Sequence, residues 1–484
     1  MAIRMIYVYE FLVIFTLGLV ATILFYNDIF FPILISVGIF TIVSILLLRR
    51  FLDNQIGFLT LMTWIVYAFP FIHIVPYLWF DFIYEDPLLL WGLAINPYMV
   101  DEQVIILTAM IGAVGGLGFI FGAALDNRKI LPSINLDAYT KLKLNNSLAM
   151  PIWIIWVVIG ISLSWLSAPQ DVIFTAKYTT SISDLQNSNF SSAWLISYVI
   201  LAFAFSDAIL DCNRSRKKNK KLIIFFSIVF VVIYLQLLRG DRESLPFVLG
   251  VMLVYFYWAK GLTQLNQQKK FPWAILGISI ISLFVISMVV GSVRSLLADI
   301  SNIDDILYLF NDLKDSNIIS ISNLLSGTWS GALLTPLSVA GDYIYGLLPL
   351  KLGKTYLDLF ASLPPGFIAD IIGYVRPIDA SRGPAYEMRY GMGGTHAVVV
   401  PFMNFQIIGV IAILIIFGYM ITRYEKKSLK KINVYNLSSM CTIVTVLPHW
   451  MWYGEKNIIN ALIILFILSI MHKISLLFSN PIKI

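Results

Sequence analysis

The chain has 484 residues, of which 59% are hydrophobic and 13% charged, with a net charge of +6 and a mean hydropathy of +0.82. Soluble domains are about 45–50% apolar and about 25% charged. Too few polar side chains remain to cover a water-facing surface, which excludes a soluble enzyme, a coiled coil and a disordered chain. The positive charges sit in short stretches between apolar runs, so they do not indicate a nucleic-acid partner. Cys212 lies in a basic stretch and Cys441 in an apolar run, with no CxxC, so neither a disulfide frame nor a thiolate metal site is expected. The run from Ile6 to Tyr26 is too long for a signal-peptide core and lacks a small-residue cleavage pattern, so it is expected to be a membrane span.

A helix needs about 20 apolar residues to cross the hydrocarbon core. Twelve segments meet or approach this, starting near residues 6, 29, 57, 103, 148, 193, 222, 245, 272, 400, 434 and 457. The expected fold is an all-α polytopic membrane protein with about 12 transmembrane helices and one long outer loop. It divides into residues 1–293 with nine spans, the loop 294–400, and residues 401–484 with three spans. In the fourth span, Gly112, Gly116, Gly118 and Gly122 form small-xxx-small patterns that permit close helix approach. This is a packing feature. Glu10 and Asp207 are the main charges inside spans.

Every second connection is basic. Arg49 and Arg50 end span two, Arg128, Lys129, Lys141 and Lys143 follow span four, and Arg214 to Lys221 follow span six. Lys260, Lys269 and Lys270 follow span eight, and Arg423, Lys426, Lys427, Lys430 and Lys431 follow span ten. The positive-inside rule makes that side cytoplasmic and places both termini there. The acid-only stretch Asp81–Glu102 then lies outside.

The outer segment from Arg294 to Val400 is 107 residues long and holds seven bases and ten acids. A loop of this length is usually functional. Ile303, Ile306, Leu307, Phe310 and Leu313 fit one helical face, either on the membrane surface or packed on protein. Gly331–Leu350 is apolar with Pro336, Gly341 and Gly346, and reads as a re-entrant or interfacial segment, because a full span would break the charge alternation. Pro364-Pro365-Gly366 is a turn.

The stretch from Arg376 to His396 joins Arg376, Arg382, Arg389, Glu387 and His396 with four glycines. Arginine presents a fixed fork that suits phosphate oxygens and keeps its charge. Histidine accepts a proton near neutral pH. Together they suit binding a diphosphate and deprotonating a hydroxyl. The alternative is a solvated loop whose arginines pair with Asp379 and Glu387. Arg239 and Arg242, in Arg239-Gly-Asp-Arg-Glu-Ser244, also fall on the outer side, with Arg294 at the end of span nine. They either bind ligand or pair with Asp241 and Glu243. His449 sits among Trp450, Trp452 and Tyr453, where aromatic residues more often form an interfacial belt. Gly353-Lys354-Thr355 ends like a phosphate-binding loop but lacks the earlier glycine, since position 348 is Leu. No HExxH motif, GxGxxG motif or cytoplasmic paired aspartates are present, so neither a metal nor a cytoplasmic nucleotide sugar is expected.

The chain resembles the Wzy-type O-antigen polymerases, or oligosaccharide repeat unit polymerases. The resemblance rests on about twelve spans, the outer Arg-Gly-Asp-Arg, Val293-Arg294, and Gly393-Gly394-Thr395-His396 before Asn404-Phe405 and Gly409. Arg239 with Gly250 and Arg382 with Gly393 also fit a family pattern of arginine followed eleven positions later by glycine. The resemblance implies a GT-C-like, metal-independent and cofactor-free glycosyltransferase of the bacterial cell inner membrane. It would transfer a growing polysaccharide from undecaprenyl diphosphate to a hydroxyl of a new lipid-linked repeat unit on the periplasmic face. Its partners would be these lipid-linked glycans, the bilayer and a chain-length regulator protein. Arg239, Arg242, Arg294, Arg382 and Arg389 would bind diphosphate, with Arg376 and His449 as further candidates. His396 would be the general base, with Glu387 as runner-up. The rivals are an O-antigen ligase, a non-enzymatic lipid-linked oligosaccharide flippase and an outer-face acyltransferase.

Overall fold

The structure is a computed structural model. It describes residues 30–72, 101–126, 148–166, 193–212, 220–228, most of 247–255, 331–361, 372–375, 395–430, 433–453 and 456–478. Ten helices are named: α1 (Phe30–Leu52), α2 (Phe58–Ile72), α3 (Glu102–Leu125), α4 (Met150–Leu166), α5 (Ala193–Cys212), α6 (Gly331–Ile344), α7 (Lys354–Ala361), α8 (Val399–Lys430), α9 (Val434–Tyr453) and α10 (Lys456–Phe478). Residues 220–228 are also helical, and there is no strand among the described residues. The helix starts fall within three residues of nine expected starts, from 29 through 222 and from 400 through 457. The expected spans near 6 and 272 lie outside the described residues, as do the amphipathic face at 303–313 and the turn at 364–366.

Among the described residues, three stretches are long and apolar enough to cross a membrane: Ile35–Leu52, Glu102–Leu125 and Val399–Leu429. Shorter apolar helices cover Phe58–Phe71, Met150–Ser164, Val434–Val446 and Ala461–Ile474. Large apolar side chains stand exposed in helical stripes: Ile42, Ile45 and Leu48 on α1, Ile155, Val158 and Ile159 on α4, and Leu462, Phe466 and Ile470 on α10. Such stripes suit a hydrocarbon solvent.

The chain packs as two units interleaved along the sequence. The first holds Met1–Leu131, Leu325–Lys427 and Leu447–Ile459; the second holds Pro132–Leu324, Ser428–Val446 and Asn460–Ile484.

In the first unit α3 is the hub, and glycine makes it so. On one side a Cβ at Gly112, Gly115 or Gly116 would meet Phe71, Tyr67 or Trp64 of α2 at 2.4, 2.3 and 2.9 Å. Tyr67 donates to the Gly112 carbonyl at 2.7 Å, and its ring stacks on Trp64. On the other side a Cβ at Gly122 would sit 2.0 Å from the Ile415 carbonyl oxygen of α8, and one at Gly418 would sit 2.2 Å from that of Phe119. The α3 and α8 backbones therefore touch, as small-residue helix packing allows. Rising numbers on both helices make the pair parallel, while α2 runs antiparallel to α3. The expected glycine device is present, with Gly115 and Gly418 as members beyond the expected four.

α6 has 14 residues, or about 21 Å of rise, against about 30 Å of hydrocarbon. It packs on α3 and α2, buries Leu333, Leu337, Ala340 and Asp342, and ends in a turn with Gly346 at φ +68°. The helix is therefore shorter than a span and is followed by a turn.

In the second unit α4 and α5 pack antiparallel. Trp153 donates to the Ala204 carbonyl at 2.8 Å and Ser197 to the Gly160 carbonyl at 2.6 Å. Asp207 accepts from Lys221 Nζ at 2.9 Å and from the Leu148 amide at 3.0 Å, while Lys221 also donates to the Leu148 carbonyl at 2.8 Å. Lys221 is thus a buried ion-pair partner of the in-span carboxylate, where the sequence placed it among loop cations. Gly250 faces α9, where a Cβ would lie 2.4 Å from the Cys441 carbonyl oxygen.

Candidate functional site

The two ends of the first unit differ in chemistry. At one end lie Arg49 and Arg50 in the last turn of α1, the start of α2, the end of α3 and the charged end of α8. α8 continues to Lys430, so Arg423, Lys426 and Lys427 are helical rather than loop residues. Glu425 is fully buried and accepts from the amides of Gly57 (3.1 Å), Leu59 (2.6 Å) and Thr60 (3.2 Å), and from the Thr60 hydroxyl (2.8 Å). It caps the amino end of α2, where the helix dipole favours an anion. Its neighbour Lys426 donates to the Asp126 carbonyl and lies 3.9 Å from the Asp126 carboxylate, so it caps the carboxyl end of α3.

At the other end, α8 is broken. Phe405 (φ −139°, ψ 19°) and Gln406 (φ 54°, ψ −145°) leave helical geometry. A non-glycine residue at that Gln406 conformation costs on the order of 1–3 kcal/mol unless its surroundings enforce it. Asn404 does the enforcing. It is fully buried, its Oδ1 accepts from the Gly353 amide at 2.8 Å, and its Nδ2 donates to the Thr355 hydroxyl and the Val400 carbonyl. The Lys351 amide donates to the Met403 carbonyl at 3.0 Å. The Lys351–Thr355 loop is thereby pinned to the break. Gly409 completes it, because a Cβ there would lie 2.4 Å from the Pro401 carbonyl oxygen. Asn404, Phe405 and Gly409, noted in the sequence, all fall at this break. Asn404 and Gln406 are the polar interruptions of an otherwise apolar run at the break.

His396 lies just before α8 at this same end and is fully buried, as is Thr395. Its ring contacts Phe71 edge-on, with centroids 4.8 Å apart, and Tyr67 at 5.3 Å. Nε2 lies 3.3 Å from the Tyr67 carbonyl, and Nδ1 accepts from the Val398 amide at 3.4 Å. Those partners assign the proton to Nε2. Burial pushes the imidazole pKa down to about 3, so the ring is neutral. Both nitrogens are engaged with backbone, and the ring holds residues 395–398 against the end of α2. The Ala397 amide also donates to the Met451 carbonyl at 2.9 Å. Nearby, Asp101 caps α3 by accepting from the Gln103 and Val104 amides at 2.9 and 3.2 Å, and Tyr345 donates to its carboxylate.

Of the site residues expected from the sequence, His396 is the one whose side chain is described. Arg239, Arg242, Arg294, Arg376, Arg382, Glu387 and Arg389 lie outside the described residues. His449 falls within α9, its side chain outside the described set. No group of three or more metal-ligating side chains occurs among the described residues. Gln406 and Glu425 were not singled out by the sequence, and Asn404 was noted without a structural role. Only a polar residue within an apolar run could have flagged them.

No family model matches the chain, and no curated protein or solved structure matches it.

Proposed function

We propose that the chain is a polytopic inner-membrane glycosyltransferase with about twelve spans and GT-C-like architecture, which polymerises lipid-linked oligosaccharide repeats on the periplasmic face. Both termini are cytoplasmic in this reading. One observation supports it best. His396 is locked at the end of the first unit opposite the basic end, so the stretch bearing Arg382, Glu387 and Arg389 joins the fold at that end.

In the reaction, a hydroxyl oxygen of the incoming repeat attacks the anomeric carbon of the growing chain. The new C–O bond forms as the bond to undecaprenyl diphosphate breaks. The hydroxyl proton passes to a base, and the diphosphate leaves with its charge. Arg382 and Arg389, with Arg239, Arg242 and Arg294, balance that developing charge. A base needs a free lone pair within reach of the hydroxyl. His396 has both nitrogens on backbone groups, which favours Glu387 as base and gives His396 a positioning role. Arg376 and His449 are secondary candidates for substrate contact. A chain-length regulator is the expected protein partner.

The test is a lipopolysaccharide gel of a strain lacking the chain. Core with a single repeat, restored to a ladder by wild type and not by Glu387→Gln, is the expected result. Bare core with polymer accumulating on undecaprenyl diphosphate would make the chain a ligase. Bare core with unpolymerised lipid-linked repeats held on the cytoplasmic side would make it a flippase. Either outcome overturns the reading.

A further inference from the structure

α7 has an unusual division of its faces. Thr355 and Leu359, four residues apart, are buried against protein. On the other side Lys354, Leu357 and Phe360 follow at three-residue spacing, with Leu357 71% and Phe360 65% exposed. Leu352, immediately before, is 71% exposed and sits at φ +46°. Large apolar side chains therefore line both faces of a helix that is too short to cross a bilayer.

Two cations flank this apolar face. Lys354 is exposed and Lys351 half-exposed. Neither makes an ion pair among the described residues, although Asp358 lies one turn beyond Lys354. Two cations of the opposite end are engaged: Lys426 is buried against Asp126, and Arg423 meets the Tyr419 hydroxyl. The loop carrying Lys351 and Lys354 is held rigidly, because Gly353 and Thr355 are bonded to Asn404 and Lys351 to Met403. Loop rigidity fixes both ammonium-bearing residues beside the apolar stripe.

We propose that Lys351, Leu352, Lys354, Leu357 and Phe360 form a seat for one anionic lipid of the leaflet that meets this end of the unit. Its phosphate lies between the two lysines and its chains run along Leu357 and Phe360. Charge complementarity selects this occupant. An apolar face alone would accept any lipid, but two cations at its margin with no ion-pair partner among the described residues favour a headgroup with net negative charge. Lysine stems of this kind lie along apolar surface with the ammonium at headgroup depth. The seat is separate from the transfer chemistry and would serve a polymerase, a ligase or a flippase alike.

The full chain, carrying p-benzoylphenylalanine at position 360, is placed in nanodiscs of equimolar phosphatidylglycerol and phosphatidylcholine. It is then irradiated, and its lipid adducts are weighed by mass spectrometry. Each lysine should favour phosphatidylglycerol roughly fivefold, so the wild-type adduct ratio should approach about 25. K351Q/K354Q should bring it close to one, with each single variant intermediate. If the double variant does not fold, the two single variants carry the same test. K427Q, an exposed lysine at the opposite end, should leave the ratio unchanged. L357S should reduce adducts of both lipids without altering their ratio. A wild-type ratio of one would overturn the seat. So would a ratio indifferent to K351Q/K354Q, or adducts to protein alone.

Discussion

The two ends of the first unit solve the same problem by opposite means. Each must satisfy backbone groups where helices stop in a medium that offers few partners. The basic end does so with formal charge: adjacent residues Glu425 and Lys426 cap an amino end and a carboxyl end of an antiparallel pair, α2 and α3. At the other end Asp101 caps the start of α3, but the loops there are held by neutral groups. Asn404 and a neutral His396 bond to backbone and hold a strained break at Gln406. The difference teaches where rigidity and where adjustability are built. Charged caps fix the frame, while neutral clasps hold loops next to the segment proposed to do chemistry.

Breaking the charged end should have the largest effect. Glu425→Ala strips four donors of their acceptor and should cost about 3 kcal/mol, seen as a lower midpoint of thermal unfolding in detergent. Glu425→Gln keeps one acceptor oxygen and should cost less. Equal stability of Glu425→Ala and wild type would remove the cap from the account.

The hub comes next. Gly122→Ala places a methyl group 2.0 Å from a backbone oxygen. Neither helix can yield by a side-chain rotation, so about 1–3 kcal/mol should be lost. Gly38→Ala, where a Cβ meets nothing within 4 Å, is the control and should be neutral.

The neutral end sharpens the comparison through pH. His396 is depressed to about 3 from an ordinary value near 6.5, so its contribution is complete above pH 6.5. As pH falls below 6.5 the unfolded ring takes a proton that the folded one refuses, and stability declines until about pH 3. Between pH 6.5 and 5 the loss should be about 2 kcal/mol. His396→Phe should flatten that slope. An unchanged slope would mean that other groups set it.

The smallest expected effect is a gain. Gln406→Gly removes the strain at φ 54° and should stabilise the chain by up to about 1 kcal/mol, since glycine adopts that conformation at little cost. A clear loss would show that the Gln406 side chain, not the break itself, is what matters.

Much of the frame was legible in the sequence because apolar length and glycine spacing are local signals. Helices begin where the apolar runs begin, and Gly112, Gly116, Gly118 and Gly122 all lie at close contacts. Asp207 stood out as a charge in an apolar run, though its partner Lys221 was hidden among loop cations. The caps and the break were not legible. Glu425 meets Gly57 across 368 residues, and the Asn404 clasp depends on a loop some 50 residues earlier. No local pattern encodes such distant partners. His396 was visible as a chemical residue, but its burial against Phe71 and Tyr67 depends on the same distant packing.

The central claim is polymerisation by an outer-face arginine and carboxylate site joined to the fold at His396. Its most direct test uses purified chain and a synthetic undecaprenyl-diphosphate-linked repeat unit, with a chelator present. The account predicts a ladder of lipid-linked polymer with release of undecaprenyl diphosphate, abolished by Glu387→Gln and strongly reduced by Arg382→Lys. A single unextended repeat with the wild-type chain, or a full ladder with Glu387→Gln and Arg382→Lys, would contradict it.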